Sequence, residues 1–194
     1  MANWACTTYV IEGPKDTLQR ISDAIKNPIT VEKSSKGWEG NVLNTFGIDF
    51  NCEINGRPAY LRGFIDADAE WEKDHLKFYA EEAWGTTDFK EVLEKYFPDI
   101  KVYFVTTEES CGVFETNDKE GKYFPDRYYI DVCINGDYDI EYFAHEDEMY
   151  KYIKKLTDGK VCNVDDVNKF NEKHEEDGDE DENFILIHTC RIVD

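Results

Sequence analysis

Between positions 4 and 107 the apolar residues switch repeatedly between two spacings, and this pattern restricts the fold more than any other feature of the chain. Strands are predicted where apolar residues alternate, at 4–11, 60–67, 75–84 and from residue 100 onward. Helices are predicted where they recur every three or four residues, around 18–25 and 89–96. The predicted order of elements is therefore β-α-β-β-α-β.

This order is that of an α+β domain with a ferredoxin-like split β-α-β core, which we expect at residues 1–107. An irregular insert at 28–57, with a short helix near its middle, precedes the second strand. Residues 108–194 carry further antiparallel strand patterns, a hairpin turn at Asn135-Gly136 and helical spacing. We predict an acidic β-hairpin and helical extension that packs on the core as one unit.

The charge balance restricts the partners of the protein. The chain has 43 Asp and Glu residues against 22 Lys and Arg residues, which gives a formal net charge of −21. Residues 1–97 contribute −6 of this charge and residues 98–194 contribute −15. Phosphate binding needs Lys and Arg, so we expect no direct binding to nucleic acid and none to a membrane. A basic protein surface is the partner that such a charge attracts, although acidity also serves solubility.

Two acidic clusters in the second half are the candidate partner-binding residues. Neither contains a Lys or Arg, so we expect little local neutralisation. The first comprises Asp137, Asp139, Glu141, Glu146, Asp147 and Glu148. The second comprises Glu175, Glu176, Asp177, Asp179, Glu180, Asp181 and Glu182.

The sequence lacks the spacings that mark known catalytic, cofactor or metal sites. None of the six cysteines forms a Cys-x-x-Cys pair, and none of the four histidines lies in a zinc-binding spacing. The segment that begins at Asp177 lacks the Gly and Glu positions of an EF-hand. We therefore predict no catalytic site, no cofactor and no metal. The alternatives left open are an acid–base or metal site that forms when scattered residues converge, and a structural or self-assembling domain.

The start of the chain and its apolar runs favour a cytoplasmic protein. No charged-then-apolar leader opens the sequence, and no apolar run approaches the roughly 20 residues of a membrane helix. We expect the cysteines to be reduced thiols.

Two short stretches resemble a known family. They are Met1-Ala2-Asn3-Trp4-Ala5-Cys6 and the run Ala83-Trp84-Gly85, helix, Phe97-Pro98-Asp99, strand, Glu108-Glu109. Together they resemble the YubB ferredoxin-like domain family, proteins of unknown function found on phages, plasmids and in gut bacteria, over about residues 1–116. Here Ala5 is an insertion, and Thr86 and Thr87 stand where the family usually has Pro. The resemblance implies the fold and a mobile-element origin, and it carries no catalytic residues.

These observations lead to one functional hypothesis. The chain is predicted to be a non-enzymatic, acidic, protein-binding accessory protein of a phage or mobile element. In its narrower form the hypothesis is a nucleic-acid mimic, whose carboxylates occupy the basic groove of a nucleic-acid-binding host defence enzyme of the restriction or CRISPR type and inhibit it.

Overall fold

The computed structural model of the protein describes residues 3–177 and 183–194, and it has an α+β fold with five α-helices and mostly antiparallel sheets. The chain divides into two compact units. The first contains the residues up to Lys119 together with Ile192–Asp194, and the second contains Glu120–Arg191. The coarse α+β class that the sequence predicted is confirmed.

The first unit is built on one large sheet. Its helices are α1 (Lys15–Lys26), α2 (Glu39–Thr45) and α3 (Phe89–Tyr96). Its strands up to residue 116 are β1 (Trp4–Glu12), β2 (Glu53–Ile54), β3 (Arg57–Pro58), β4 (Gly63–Ile65), β5 (Glu70–Glu72), β6 (His75–Ala83), β7 (Lys101–Glu108) and β8 (Val113–Thr116). The central strand β1 is antiparallel to both β6 and β7, and β4 continues the sheet beyond β6. The strands β2 and β3 form a separate small hairpin.

The helices of this unit cover one face of the sheet. Side chains of a strand point to alternate faces, and on β1 Tyr9 and Ile11 join the core together with Leu18 of α1 and Val92 of α3. The Tyr9 and Phe78 rings stack with centroids 5.1 Å apart at the middle of this core. The helices α1 and α3 each have one apolar side, as their sequence spacing predicted, and bury most of that side on the sheet.

The second unit has a three-stranded sheet and two helices. Its elements are β9 (Tyr128–Ile134), β10 (Asp137–Phe143), α4 (Glu146–Leu156), α5 (Val164–Asp177) and β11 (Phe184–Thr189), with strand order β10-β9-β11. Asn135 and Gly136 both have positive φ, 54° and 82°, so the predicted hairpin turn is confirmed. The last strand, β12 (Arg191–Ile192), belongs to the large sheet beside β8.

Two differences from the predicted elements have physical reasons. The strand expected at 60–67 is reduced to Gly63–Ile65, because the backbone before it pairs with loops: Tyr60 N donates to the Asp88 carboxylate and Asp88 N donates to the Tyr60 carbonyl. The strands β2, β3 and β5 were not predicted, because runs of two or three residues show no measurable alternation.

Candidate partner-binding site

The first three predicted binding residues lie on the edge strand β10. Asp137, Asp139 and Glu141 are two residues apart and so share one face of the strand. Their register partners are Ile134, Val132 and Ile130, which face the helices of the second unit. Asp137 and Glu141 are exposed and Asp139 is half-buried, which places these acids at the rim of the helix-covered face.

Asp139 is engaged within the unit. It accepts a hydrogen bond from the Tyr152 hydroxyl of α4. This bond, together with burial and the charges of Asp139 and Glu141, raises the pKa of Tyr152 to about 12. The Asp139 carboxylate therefore helps to hold α4 on the edge strand.

The other three residues of the first cluster open α4. Glu146, Asp147 and Glu148 form its first turn, where the helix dipole favours negative charge. Lys151 donates to Asp147 at 2.6 Å, one helical turn further on, and this hydrogen bond and its charge lower the pKa of Asp147. The expectation that the cluster lacks local neutralisation was therefore wrong for Asp147, because a helix brings residue i+4 next to residue i.

Four acids of the first cluster form no ion pair within residues 3–177 and 183–194, and all four are exposed: Asp137, Glu141, Glu146 and Glu148. These residues lie on consecutive elements, β10 and α4. They are the part of the first cluster that is available to a partner.

The second cluster lies only partly in the described chain. Glu175, Glu176 and Asp177 belong to the last turn of α5, while Asp179, Glu180, Asp181 and Glu182 lie outside the described residues.

A groove on the face of the large sheet opposite its helices was not anticipated from the sequence. It has a volume of about 500 Å³ and crosses β1, β4 and β6. The side chains that line it on this face are Cys6, Thr8, Phe64, Asp66, Tyr79 and Glu81. Trp4 borders the groove, with its ring centroid 5.5 Å from that of Phe64. This site depends on strand register, which the sequence pattern does not specify.

The helix-covered face of the same sheet holds a buried group of acids. Glu39 of α2 and Glu82 of β6 are both fully buried. Glu82 accepts hydrogen bonds from Tyr9 Oη at 2.6 Å, from Thr7 Oγ1 and from the Thr87 backbone N–H at 3.2 Å. Three donors thus converge on Glu82 and can stabilise a charged carboxylate in the interior.

The environment of Glu39 favours its neutral form. Burial raises the pKa of Glu39 well above its usual range, and the charge of Glu82 and a hydrogen bond to it add to this shift. Thr87 Oγ1 lies 2.8 Å from an oxygen of Glu39 and 2.8 Å from an oxygen of Glu82. The Thr87 hydroxyl has one proton and can donate it to only one of the two carboxyl groups. The other contact is a hydrogen bond only if that carboxyl group is protonated and donates to Thr87 Oγ1. Glu39 is the acid that holds this proton.

Threonine hydroxyls extend this hydrogen-bonded chain across the sheet. Thr7 Oγ1 lies 2.9 Å from Thr106 Oγ1, which lies 3.0 Å from Thr86 Oγ1. Thr86 donates in turn to Glu115 of β8 at 3.0 Å. Spatial convergence of acids therefore does occur, but Glu39 and Glu82 are fully enclosed, and the arrangement accounts for core packing more directly than for substrate binding.

The remaining candidate groups stay dispersed. Across the described ranges, no three His, Cys, Asp or Glu side chains are grouped so as to hold a metal ion. All six cysteines are free thiols. In the same part of the chain, no helix combines the length and apolar character needed to cross a membrane.

Comparisons of the chain with protein-family models, with curated proteins and with solved structures gave no match.

Proposed function

We propose that this protein is a non-enzymatic binding protein whose second unit binds a basic surface of another protein. The observation that carries the proposal is the placement of its acids. Asp137 and Glu141 are exposed at a sheet edge and form no ion pair in the described chain. Such positions cost folding free energy through repulsion, and a basic partner offsets that cost.

The narrower form of the proposal is a nucleic-acid mimic. Carboxylates on the edge strand β10 and in the first turn of α4 present negative charge on regular secondary structure, as phosphates do on a duplex. The mobile-element origin that the sequence resemblance implies supplies a class of target, namely host defence enzymes that bind nucleic acid in a basic groove.

A second candidate function is acid–base catalysis. A neutral carboxyl group beside a charged one, as in Glu39 and Glu82, is the arrangement that separates a catalytic acid from a catalytic base. The full burial of both residues argues against it.

A ferredoxin-like core and a cytoplasmic location are part of the proposal. The strand order β7-β1-β6-β4 with antiparallel neighbours, and the positions of α1 and α3 in the chain, support a split β-α-β core. The six free thiols support a reducing compartment.

The test is affinity capture from nuclease-treated lysate with matched charge variants. The test variant neutralises the four available acids of the first cluster: Asp137→Asn, Glu141→Gln, Glu146→Gln and Glu148→Gln. The control variant makes the same charge change at four exposed acids of the first unit: Glu32→Gln, Glu53→Gln, Asp68→Asn and Glu70→Gln.

We expect the wild type and the control to retain a basic protein that the test variant retains at least tenfold less, a loss of about 1.4 kcal/mol. A third variant that neutralises the acids of 175–182 examines the second cluster in the same way. Elution of the partner by duplex DNA supports the mimic. Equal retention by all variants contradicts the proposal.

A further inference from the structure

The groove on the face of the large sheet opposite its helices brings together residues from three strands that are distant in the sequence. In the register of the sheet, Glu81 of β6 lies beside both Cys6 of β1 and Phe64 of β4. Tyr79 lies beside Thr8 in the next row on this face. The groove is therefore fixed by the pairing of β1, β4 and β6.

The walls of the groove are aromatic and open to solvent. Trp4, Phe64 and Tyr79 lie on one face of the sheet and are 42%, 37% and 42% exposed. Contiguous exposed apolar surface of this kind marks an interaction site.

The lining of the groove also carries negative charge. Asp66 and Glu81 contribute carboxylates, and no Lys or Arg is among the described residues that line it. Burial raises the pKa of the Cys6 thiol, and the charges of Glu81 and Glu109 raise it further. The same surroundings that disfavour a negatively charged Cys6 thiolate favour a positively charged ligand group.

Two lysine ammonium groups of this chain already contact tyrosine rings on the same face of the sheet. Lys101 Nζ lies 4.5 Å from the centroid of the Tyr103 ring, and Lys77 Nζ lies 5.5 Å from that of Tyr79. These are cation–π distances. Lys77 also contacts Glu72 at 3.7 Å.

We infer that this groove binds a lysine or arginine side chain presented by a basic protein partner, an inference that rests on the proposed function. The aliphatic stem of that side chain lies against Phe64 and Tyr79, and its charged group meets Asp66 and Glu81. Aromatic walls and a pair of carboxylates suit an amphipathic cation of this type better than a neutral or an anionic group.

The test is an NMR titration of the full chain with three blocked peptides that differ only at the central residue: acetyl-Gly-Arg-Gly-amide and its Gln and Glu analogues. The Trp4 indole N–H reports on the groove. The Trp38 indole N–H serves as the internal reference, because it donates to the Leu61 carbonyl at 2.8 Å. We expect the Arg peptide to shift the Trp4 signal saturably, and to bind at least fivefold more tightly than either analogue.

The variant Asp66→Asn/Glu81→Gln should weaken binding of the Arg peptide at least fivefold, while the matched control Glu53→Gln/Asp68→Asn should not. Equal shifts with the Arg and Gln peptides, or equal loss in both variants, overturn the inference. The capture variants of the second unit leave the groove intact, so the two experiments fail independently. If only the titration fails, the inference about the groove is wrong and the proposed function stands. If only the capture experiment fails, the proposed role of the second unit is wrong.

Discussion

At the residue scale, the most informative group is the pair of buried acids. Two carboxylates enclosed side by side repel each other strongly, so such a pair keeps one proton. The three donors on Glu82 and the raised pKa of Glu39 place that proton on Glu39. The first unit is therefore most stable when Glu39 is neutral.

A pH dependence follows from this raised pKa. Between the ordinary pKa of Glu and the raised one, the folded chain holds a proton that the unfolded chain has lost. The free energy of unfolding should therefore fall as pH rises, by up to about 1.4 kcal/mol per pH unit for this one proton. Glu39→Gln should remove this contribution, and the exposed control Glu32→Gln should retain it. Urea unfolding at several pH values measures the effect, and parallel profiles for wild type and Glu39→Gln would contradict the assignment.

Gly63 is the neighbour that leaves room for the Glu39 carboxyl group. A Cβ atom at position 63 would lie 2.2 Å from Glu39 Oε1. We expect Gly63→Ala to destabilise the protein by about 1–3 kcal/mol, as overpacking does. In a Glu39→Ala background the same substitution should cost much less. Thermal unfolding of the four proteins of this cycle measures the coupling, and additive effects would show that the two residues do not meet.

The sequence could not single out these residues. Glu39 and Glu82 are two of 43 acids, and their separation along the chain carries no spacing signal. The fold brings them together, because β6 is paired in the sheet and α2 packs across it at Gly63. Buried polar groups of this kind become visible only when the packing is known.

At the element scale, the long amphipathic helices were predictable and the short strands were not. The apolar side predicted for α3 was Phe89, Val92, Leu93 and Tyr96; the first three are buried, and Tyr96 at the end of the helix is exposed. The groove depends on the pairing of β1 with β6 and of β6 with β4, in which a slip of one residue would turn its aromatic residues to the other face. Its walls come from residues up to 75 positions apart, from Trp4 to Tyr79, so no local pattern indicates them.

The start of α5 gives a test of local structure in the second unit. Asn163 directly precedes this helix, and its Oδ1 accepts a hydrogen bond from Asp166 N at 3.1 Å. Asn163→Ala should lower the free energy of unfolding by about 1 kcal/mol. The matched change Asn168→Ala, at an exposed position inside α5, should raise it slightly because Ala favours helix. Chemical denaturation followed by circular dichroism compares them; equal effects would show that the cap contributes nothing.

At the scale of the whole molecule, the distribution of charge could be predicted from the sequence, whereas the geometry of the sites could not. The net charge of −21 and its concentration beyond residue 98 were evident from composition alone. The structure adds which acids are already engaged, such as Asp139 and Asp147, and which remain available. That distinction decides where a basic partner gains most from binding.

The central claim is that the available acids of the second unit attract a basic protein. The direct measurement is the association rate constant of the captured partner with wild type, the four-acid test variant and its matched control, at ionic strengths from roughly 20 to 300 mM. We predict that association with wild type and control slows steeply as salt increases, and that the test variant associates about tenfold more slowly at low salt with a flatter salt dependence. An association rate and a salt dependence that are the same for all three proteins would contradict the claim.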